Sequence, residues 1–330
     1  MKRFFLFLLL VLLLGNAVVF SAGTPIQMKF AHYAAPGHPA DLAAKRFAEA
    51  VEKRTKGAIK VIIYPNSELG SPPEILEQNI LGAVDMSLPT QGALDKYSKK
   101  FAVVMLPFIY QGYPHVYKVL DGPFMKWAGP DLEKQGLIFL SNWDYGFRHI
   151  TNNVRPINSP DDLKGLKMRT PPEIQLQATM EALGAVVTKI AFNELYMALK
   201  QGGVDGEENP IAVIYYNKLY EVQKYLALTG HVYNCMVHVM SKKVWDRLSR
   251  SQRRIIQEES TAAGAYMRQL IQSEEDDLVK KLQELGMIVT RPNIAEFKAR
   301  MGPAYKRIDE YAGSGYVDKY LKMVESVPVK

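Results

Sequence analysis

Tyr145-Gly-Phe-Arg-His-Ile-Thr-Asn-Asn153, Leu163-Lys-Gly-Leu-Lys-Met-Arg-Thr-Pro-Pro172 and Val204-Asp-Gly-Glu-Glu-Asn-Pro210 are the segments on which the reading of this chain turns. Phe147–Thr151, Lys167–Arg169 and the Val204–Glu207 region read as strands. Glu173–Leu183, Asn193–Lys200 and Ala212–Leu219 read as helices, with a further strand at Ala185–Thr188. Strand and helix in alternation is the pattern of an α/β fold. Arg148 and Arg169 stand in strand-like, apolar-flanked settings, and Asn209 sits in a turn before a Pro-initiated helix. A guanidinium held this way grips a carboxylate through two parallel hydrogen bonds. The alternative is a structural ion pair with an acid such as Asp144 or Glu173, since arginine is seldom buried alone.

Upstream, the same alternation predicts strands at Gln27–His32, Ala58–Tyr64, Ala83–Leu88, Val103–Leu106 and Gly136–Leu140. Helices are expected at Pro39–Thr55, Pro72–Leu81, Tyr113–Leu120 and Pro123–Gln135. Downstream, Val232–Met240 reads as one long strand leading back toward the first set. From Ser249 to about Leu285 the pattern is helical, a rod of about 50 Å if unbroken. The competing reading is two helices parted near Ala262–Gly264, because mid-helix glycine is unfavourable. No single linker is visible, so two domains would require the chain to cross between them more than once.

The N-terminus, Met1-Lys2-Arg3 followed by an apolar run from Phe4 to Leu14 and a small-residue exit near Ser21-Ala22-Gly23, describes a cleavable secretory signal over residues 1–22. A spanning helix needs about 20 residues, which leaves an uncleaved anchor as the other possibility. The net charge of +7 falls to +5 once Lys2 and Arg3 go with the leader. The remaining charge is interspersed with acids, which argues for attraction of small anions rather than nucleic acid. The one cysteine, Cys235, permits no intramolecular disulfide and reads as an inert core thiol.

Catalytic motifs are missing: there is no His-Glu-x-x-His, no Gly-x-Ser-x-Gly, no Walker loop and no dinucleotide glycine fingerprint. The histidines show no ligand spacing, so neither a metal nor a cofactor is expected. An acid–base role for Glu207, Glu208 and His32 in a secreted enzyme acting on acidic sugars is the alternative from another class, and a scaffold protein a third. Tyr33, Trp143 and Phe192 follow predicted strands, where open α/β sheets meet their ligands.

The run Asn152-Asn-Val-Arg-Pro-Ile-Asn-Ser-Pro-Asp-Asp-Leu-Lys-Gly-Leu-Lys-Met-Arg-Thr-Pro-Pro172 resembles the signature of the DctP-type solute-binding proteins of TRAP (tripartite ATP-independent periplasmic) transporters. So do Ala191-Phe-Asn-Glu-Leu-Tyr-Met-Ala-Leu-Lys-Gln201, Val204-Asp-Gly-Glu-Glu-Asn-Pro210, Tyr220-Glu-Val-Gln-Lys-Tyr-Leu226, Lys29-Phe-Ala-His32, Tyr64-Pro-Asn-Ser-Glu-Leu-Gly70 and Leu106-Pro-Phe108, in order along the chain. The resemblance implies a two-lobed periplasmic binding protein fold with a long helix spanning both lobes: residues 24–145 plus 235–274 as lobe I, and 146–234 plus 275–330 as lobe II.

It also implies a monomeric, non-enzymatic receptor that closes on a small organic acid and delivers it to the small and large membrane subunits of a sodium-coupled permease. By that likeness Arg169 clamps the ligand carboxylate, Arg148 and Asn209 add hydrogen bonds, and Phe192 packs on the ligand. His32, Tyr33, Glu74 and Gln91 are the candidate first-lobe contacts, with Trp143 and Asp144 from the crossover. The loop Leu88-Pro-Thr-Gln-Gly92 departs from sialate-binding members, and Glu207-Glu-Asn-Pro210 departs from members that bridge the ligand with a metal. Neutral donors and acceptors with no second arginine opposite place hexuronates and aldonates ahead of C4-dicarboxylates.

Overall fold

The computed structural model describes residues 24–329, so the signal-peptide expectation lies outside the described residues. Eleven strands follow one another: β1 (Ile26–Ala31), β2 (Ile59–Tyr64), β3 (Met86–Ser87), β4 (Leu137–Asn142), β5 (Gly146–Asn152), β6 (Lys167–Thr170), β7 (Val186–Lys189), β8 (Gly206–Pro210), β9 (Tyr225–Asn234), β10 (Val237–Ser241) and β11 (Ile288–Thr290). They form two sheets, ordered β2-β1-β3-β10-β4 and β11-β9-β5-β8-β6-β7. In the first, β1 runs parallel to β2 and β3, and β10 is antiparallel to β3 and β4. In the second, β5 lies antiparallel between β8 and β9, while β6 runs parallel to β7 and β8. The molecule is a two-lobed α/β protein with one sheet in each lobe.

The chain passes from the first sheet to the second through Trp143–Tyr145 and returns through Cys235 and Met236. That return breaks the continuous Val232–Met240 strand expected from sequence: β9 ends at Asn234 and β10 begins at Val237 in the other sheet. An unbroken apolar β-pattern carries no mark of the sheet in which each residue pairs. Buried Cys235 belongs to this crossover, where burial pushes its thiol up.

A third connection is the helix Arg250–Glu284, a single run of 35 residues. Ser249 and Gln252 close a capping box at its start. No break occurs at Gly264; the glycine is instead the point of closest approach to the crossover, since a Cβ there would lie 2.8 Å from the Trp143 Cδ1. Val103–Leu106 is not a strand: the 3₁₀ turn Lys99–Val103 runs into a further turn before Pro107. A short buried apolar run does not distinguish the two by periodicity. The strand expected near Val204–Glu207 is β8, which starts at Gly206 and continues through the Glu208-Asn209-Pro210 stretch expected as a turn, paired antiparallel with β5 from Arg148↔Pro210 to Asn152↔Gly206. Its acids satisfy partners on neighbouring strands, so tertiary pairing overrides the turn-like composition.

Candidate functional site

Strand ends from both sheets converge on a cavity of about 270 Å³. From the first lobe come Tyr33 just after β1, Pro72, Pro73 and Leu76 of the helix Pro72–Leu81, and the segment after β3 from Pro89 to Tyr97. From the second come Arg148 on β5, Arg169 on β6, Pro171–Glu173 beyond it, Phe192 after β7 and Asn209 near the end of β8, with Tyr145 contributed by the crossover. Ligands of open α/β sheets bind at such strand ends.

The two arginines are held differently. Arg148 is buried and ion-paired: its Nε donates to Glu208 Oε2 at 2.5 Å, and its Nη2 to Glu208 Oε1 at 2.9 Å and to Asn209 Oδ1 at 3.1 Å. Burial works against that charge, but Glu208 more than offsets it and holds the guanidinium above its ordinary value. Burial likewise opposes the Glu208 carboxylate, yet Arg148 and the His231 ring at 3.3 Å outweigh it and keep its pKa low. Arg169 is 1 % exposed and makes no ion pair among the described residues. Its Nε donates to the Ile190 carbonyl at 2.9 Å, and its Nη2 has no hydrogen-bond partner among those residues. Burial lowers this guanidinium to about 10 against the pull of Glu207 and Glu208. Glu207 accepts from Thr151 at 2.8 Å and from the Asn209 amide; burial and then the Glu208 charge raise its carboxyl to about 7.

A buried guanidinium edge with no acceptor is a favourable place for a carboxylate, because the desolvation of the cation is already complete. Phe192 and Tyr33 pack edge-to-face in the cavity wall with ring centroids 5.3 Å apart, and Tyr33 meets Tyr145 edge-on at 6.0 Å. Prolines at 72, 73, 89, 171 and 172 give the walls rigid apolar surface.

Of the candidates from sequence, Arg148, Arg169, Asn209, Phe192 and Tyr33 line this cavity together. The other five lie elsewhere. His32 is buried behind it beside Asp41, with Nε2 3.8 Å from Oδ1, and burial lowers its ring to about 4. Glu74 is spent on the helix start, accepting from the Ser71 N–H at 2.7 Å. Gln91 donates to Asn142 Oδ1 at 2.9 Å. Trp143 is fully buried, its indole N–H directed to Ser141 and to the Ser260 carbonyl. Asp144 anchors the crossover, accepting from the Tyr145 and Gly146 N–H groups and from Tyr117 and Tyr233. Glu173 and Thr90 are lining residues that sequence reasoning did not assign to the site, and Tyr145 is a third. Pro171-Pro172 before Glu173 was the available signal, since it fixes where the next side chain leaves the strand end. Among the described residues no group of three or more His, Cys, Asp or Glu side chains is placed to hold a metal.

The model of the DctP family, bacterial extracellular solute-binding protein family 7, matches residues 30–311. The C4-dicarboxylate-binding periplasmic protein DctP of Rhodobacter capsulatus is 36 % identical over 276 residues, covering 83 % of this chain and 83 % of that protein. A TRAP periplasmic solute-binding protein from Polaromonas sp. JS666, solved bound to D-erythronate, superposes with a TM-score of 0.88 at 31 % identity, covering 92 % of this chain and 100 % of that one. The sugar acid binding protein DctPAm of Advenella mimigardefordensis in complex with galactonate gives 0.88 at 30 % identity, covering 92 % and 98 %. Match length, identity and superposition agree with the geometry of the cleft: this chain belongs to family 7 of the bacterial extracellular solute-binding proteins, the DctP family of TRAP transporter receptors.

Proposed function

We propose that this TRAP solute-binding protein captures a small hydroxylated organic acid, a sugar acid of the aldonate or hexuronate kind, and presents it to the membrane subunits of its transporter from the extracytoplasmic side. The observation that carries this reading is the Arg169 Nη2, buried in the wall of an interlobe cavity without a partner among the described residues. A ligand carboxylate would complete that guanidinium, Arg148 and Asn209 would orient it, and Phe192 would cover its carbon face. Solved relatives whose ligands are erythronate and galactonate support an acid of this kind. The arrangement supports binding rather than turnover, because Glu207 and Glu208 are committed to neighbouring side chains. A C4-dicarboxylate is the second reading, favoured by the Rhodobacter relative.

Thermal-shift screening of aldonates, uronates, malate and succinate separates the two, since a ligand that binds only the folded state raises the melting point by mass action. Calorimetry on Arg169→Ala then tests the anchor. Binding by wild type and loss in the variant are expected; tight binding that survives the substitution removes Arg169 from the clamp.

A further inference from the structure

Beside the arginines the cavity wall holds a carboxylate that the clamp does not use. Glu173 stands at the N-cap of the helix Ile174–Ala182 and is 5 % exposed. Its Oε1 accepts from the Thr90 hydroxyl at 2.8 Å, which ties the second lobe to the loop after β3. Its Oε2 is buried and has no hydrogen-bond partner among the described residues. That oxygen occupies the room left by Gly92: a Cβ at Gly92 would fall 2.2 Å from it. An acceptor buried without a donor is costly, and this one borders the cavity.

The charges around it narrow what the donor is. Arg148 on β5 is neutralised by Glu208 on β8, and Arg169 on β6 is the guanidinium of the two without an ion pair among the described residues. One cation matches one ligand carboxylate. Asp95 lines the wall near Glu173, so a second carboxylate would meet two acids. Lys96 also reaches the rim but is engaged with Glu77 at 2.6 Å. Tyr33 and Tyr145 close the remaining side.

We propose that Glu173 sets specificity where the cavity meets the loop after β3: Oε2 accepts a hydrogen bond from a hydroxyl of the bound acid, and Glu173 with Asp95 excludes a second carboxylate. This rests on the reading that Arg169 holds the acid head. Burial, then the opposing pull of Arg148 and Thr90 and the push of Asp95 and Glu208, leave the Glu173 carboxyl raised to about 7. Its charge therefore grows through the neutral range, and the exclusion grows with it.

The test is calorimetry with erythronate, galactonate and succinate at about pH 6 and about pH 8, a span that brackets the Glu173 titration. Wild type is expected to prefer the hydroxylated monoacids over succinate by roughly a hundredfold, the scale on which an unmatched buried polar group discriminates. Succinate binding should weaken further toward the higher pH. Glu173→Gln, which keeps the shape, should cut the preference to roughly tenfold or less and reduce its pH dependence to what Asp95, raised to about 6, still contributes. Gly92→Ala, which displaces the carboxyl without removing it, should do the same. An unchanged preference in both variants, or a wild type that prefers succinate, overturns the assignment of Glu173. Retention of binding by Arg169→Ala overturns the carboxylate clamp instead, whatever the Glu173 variants do.

Discussion

Gly264 of the long helix lies directly against Trp143 of the crossover, and a Cβ at this glycine would sit 2.8 Å from Cδ1 and 2.9 Å from the Asn142 carbonyl oxygen. The glycine lets the helix Arg250–Glu284 approach the point where the chain changes sheets. Gly264→Ala gains about 1 kcal/mol of helix propensity, but packing against a fully buried indole and a backbone oxygen costs about 1–3 kcal/mol. The cost is expected to win, lowering the melting temperature by a few degrees. A melting temperature raised by the alanine would mean that the crossover shifts freely and that the contact is not tight.

The unequal burial of the two arginines gives a second expectation. Arg148→Ala leaves Glu208 buried without its guanidinium partner, a loss of about 3–5 kcal/mol by the behaviour of broken buried pairs. Arg169→Ala breaks no ion pair among the described residues and removes a charge whose burial is already unfavourable. Urea midpoints should therefore fall far more for Arg148→Ala than for Arg169→Ala, while ligand binding falls in both. Equal destabilisation by the two would contradict the division between a structural and a ligand-facing arginine.

What sequence carried, and what it did not, follows from the range over which each feature is determined. The helix starts were readable because Pro39, Pro72 and Ser249 act within one turn. The arginine pole was readable because Arg148 and Arg169 are charges in apolar strand settings. The first-lobe contacts were harder. Trp143 and Asp144 have the composition of ligand contacts, yet the Trp143 ring is consumed by the approach of Gly264 and the Asp144 carboxylate by the crossover N–H groups. Glu173 was read only as a possible arginine partner, because its neighbour Thr90 is 83 positions away in sequence. Strand β8 was legible only as far as Glu207 for the same reason: its acids look turn-like until Arg148, Thr151 and His231 are brought to them.

The buried carboxyls also make stability depend on pH in a definite direction. Glu173 and Glu207 each rise from 4.5 to about 7 on folding, chiefly through burial. A raised acid binds its proton more tightly in the folded state. Its contribution is therefore complete below about pH 4.5 and is lost as pH climbs through about 7. Glu208 is lowered instead, so its contribution is lost only on acidification below that window. Near pH 5.5 these two carboxyls favour the folded ligand-free protein more than near pH 8, while the buried rings of His32, His38 and His238, lowered to about 4, 3 and 3, act in the opposite direction over the same span. Glu173→Gln removes one raised carboxyl and leaves Glu207, Asp95, Asp144 and the histidines in place, so the melting temperature near pH 5.5 less that near pH 8 should be smaller in the variant than in wild type. Scanning calorimetry of wild type and variant at both pH values reads this out directly. A difference of the same size in the two proteins would mean that Glu173 titrates as an ordinary exposed carboxyl, and the buried acceptor in the cavity wall would lose its physical basis.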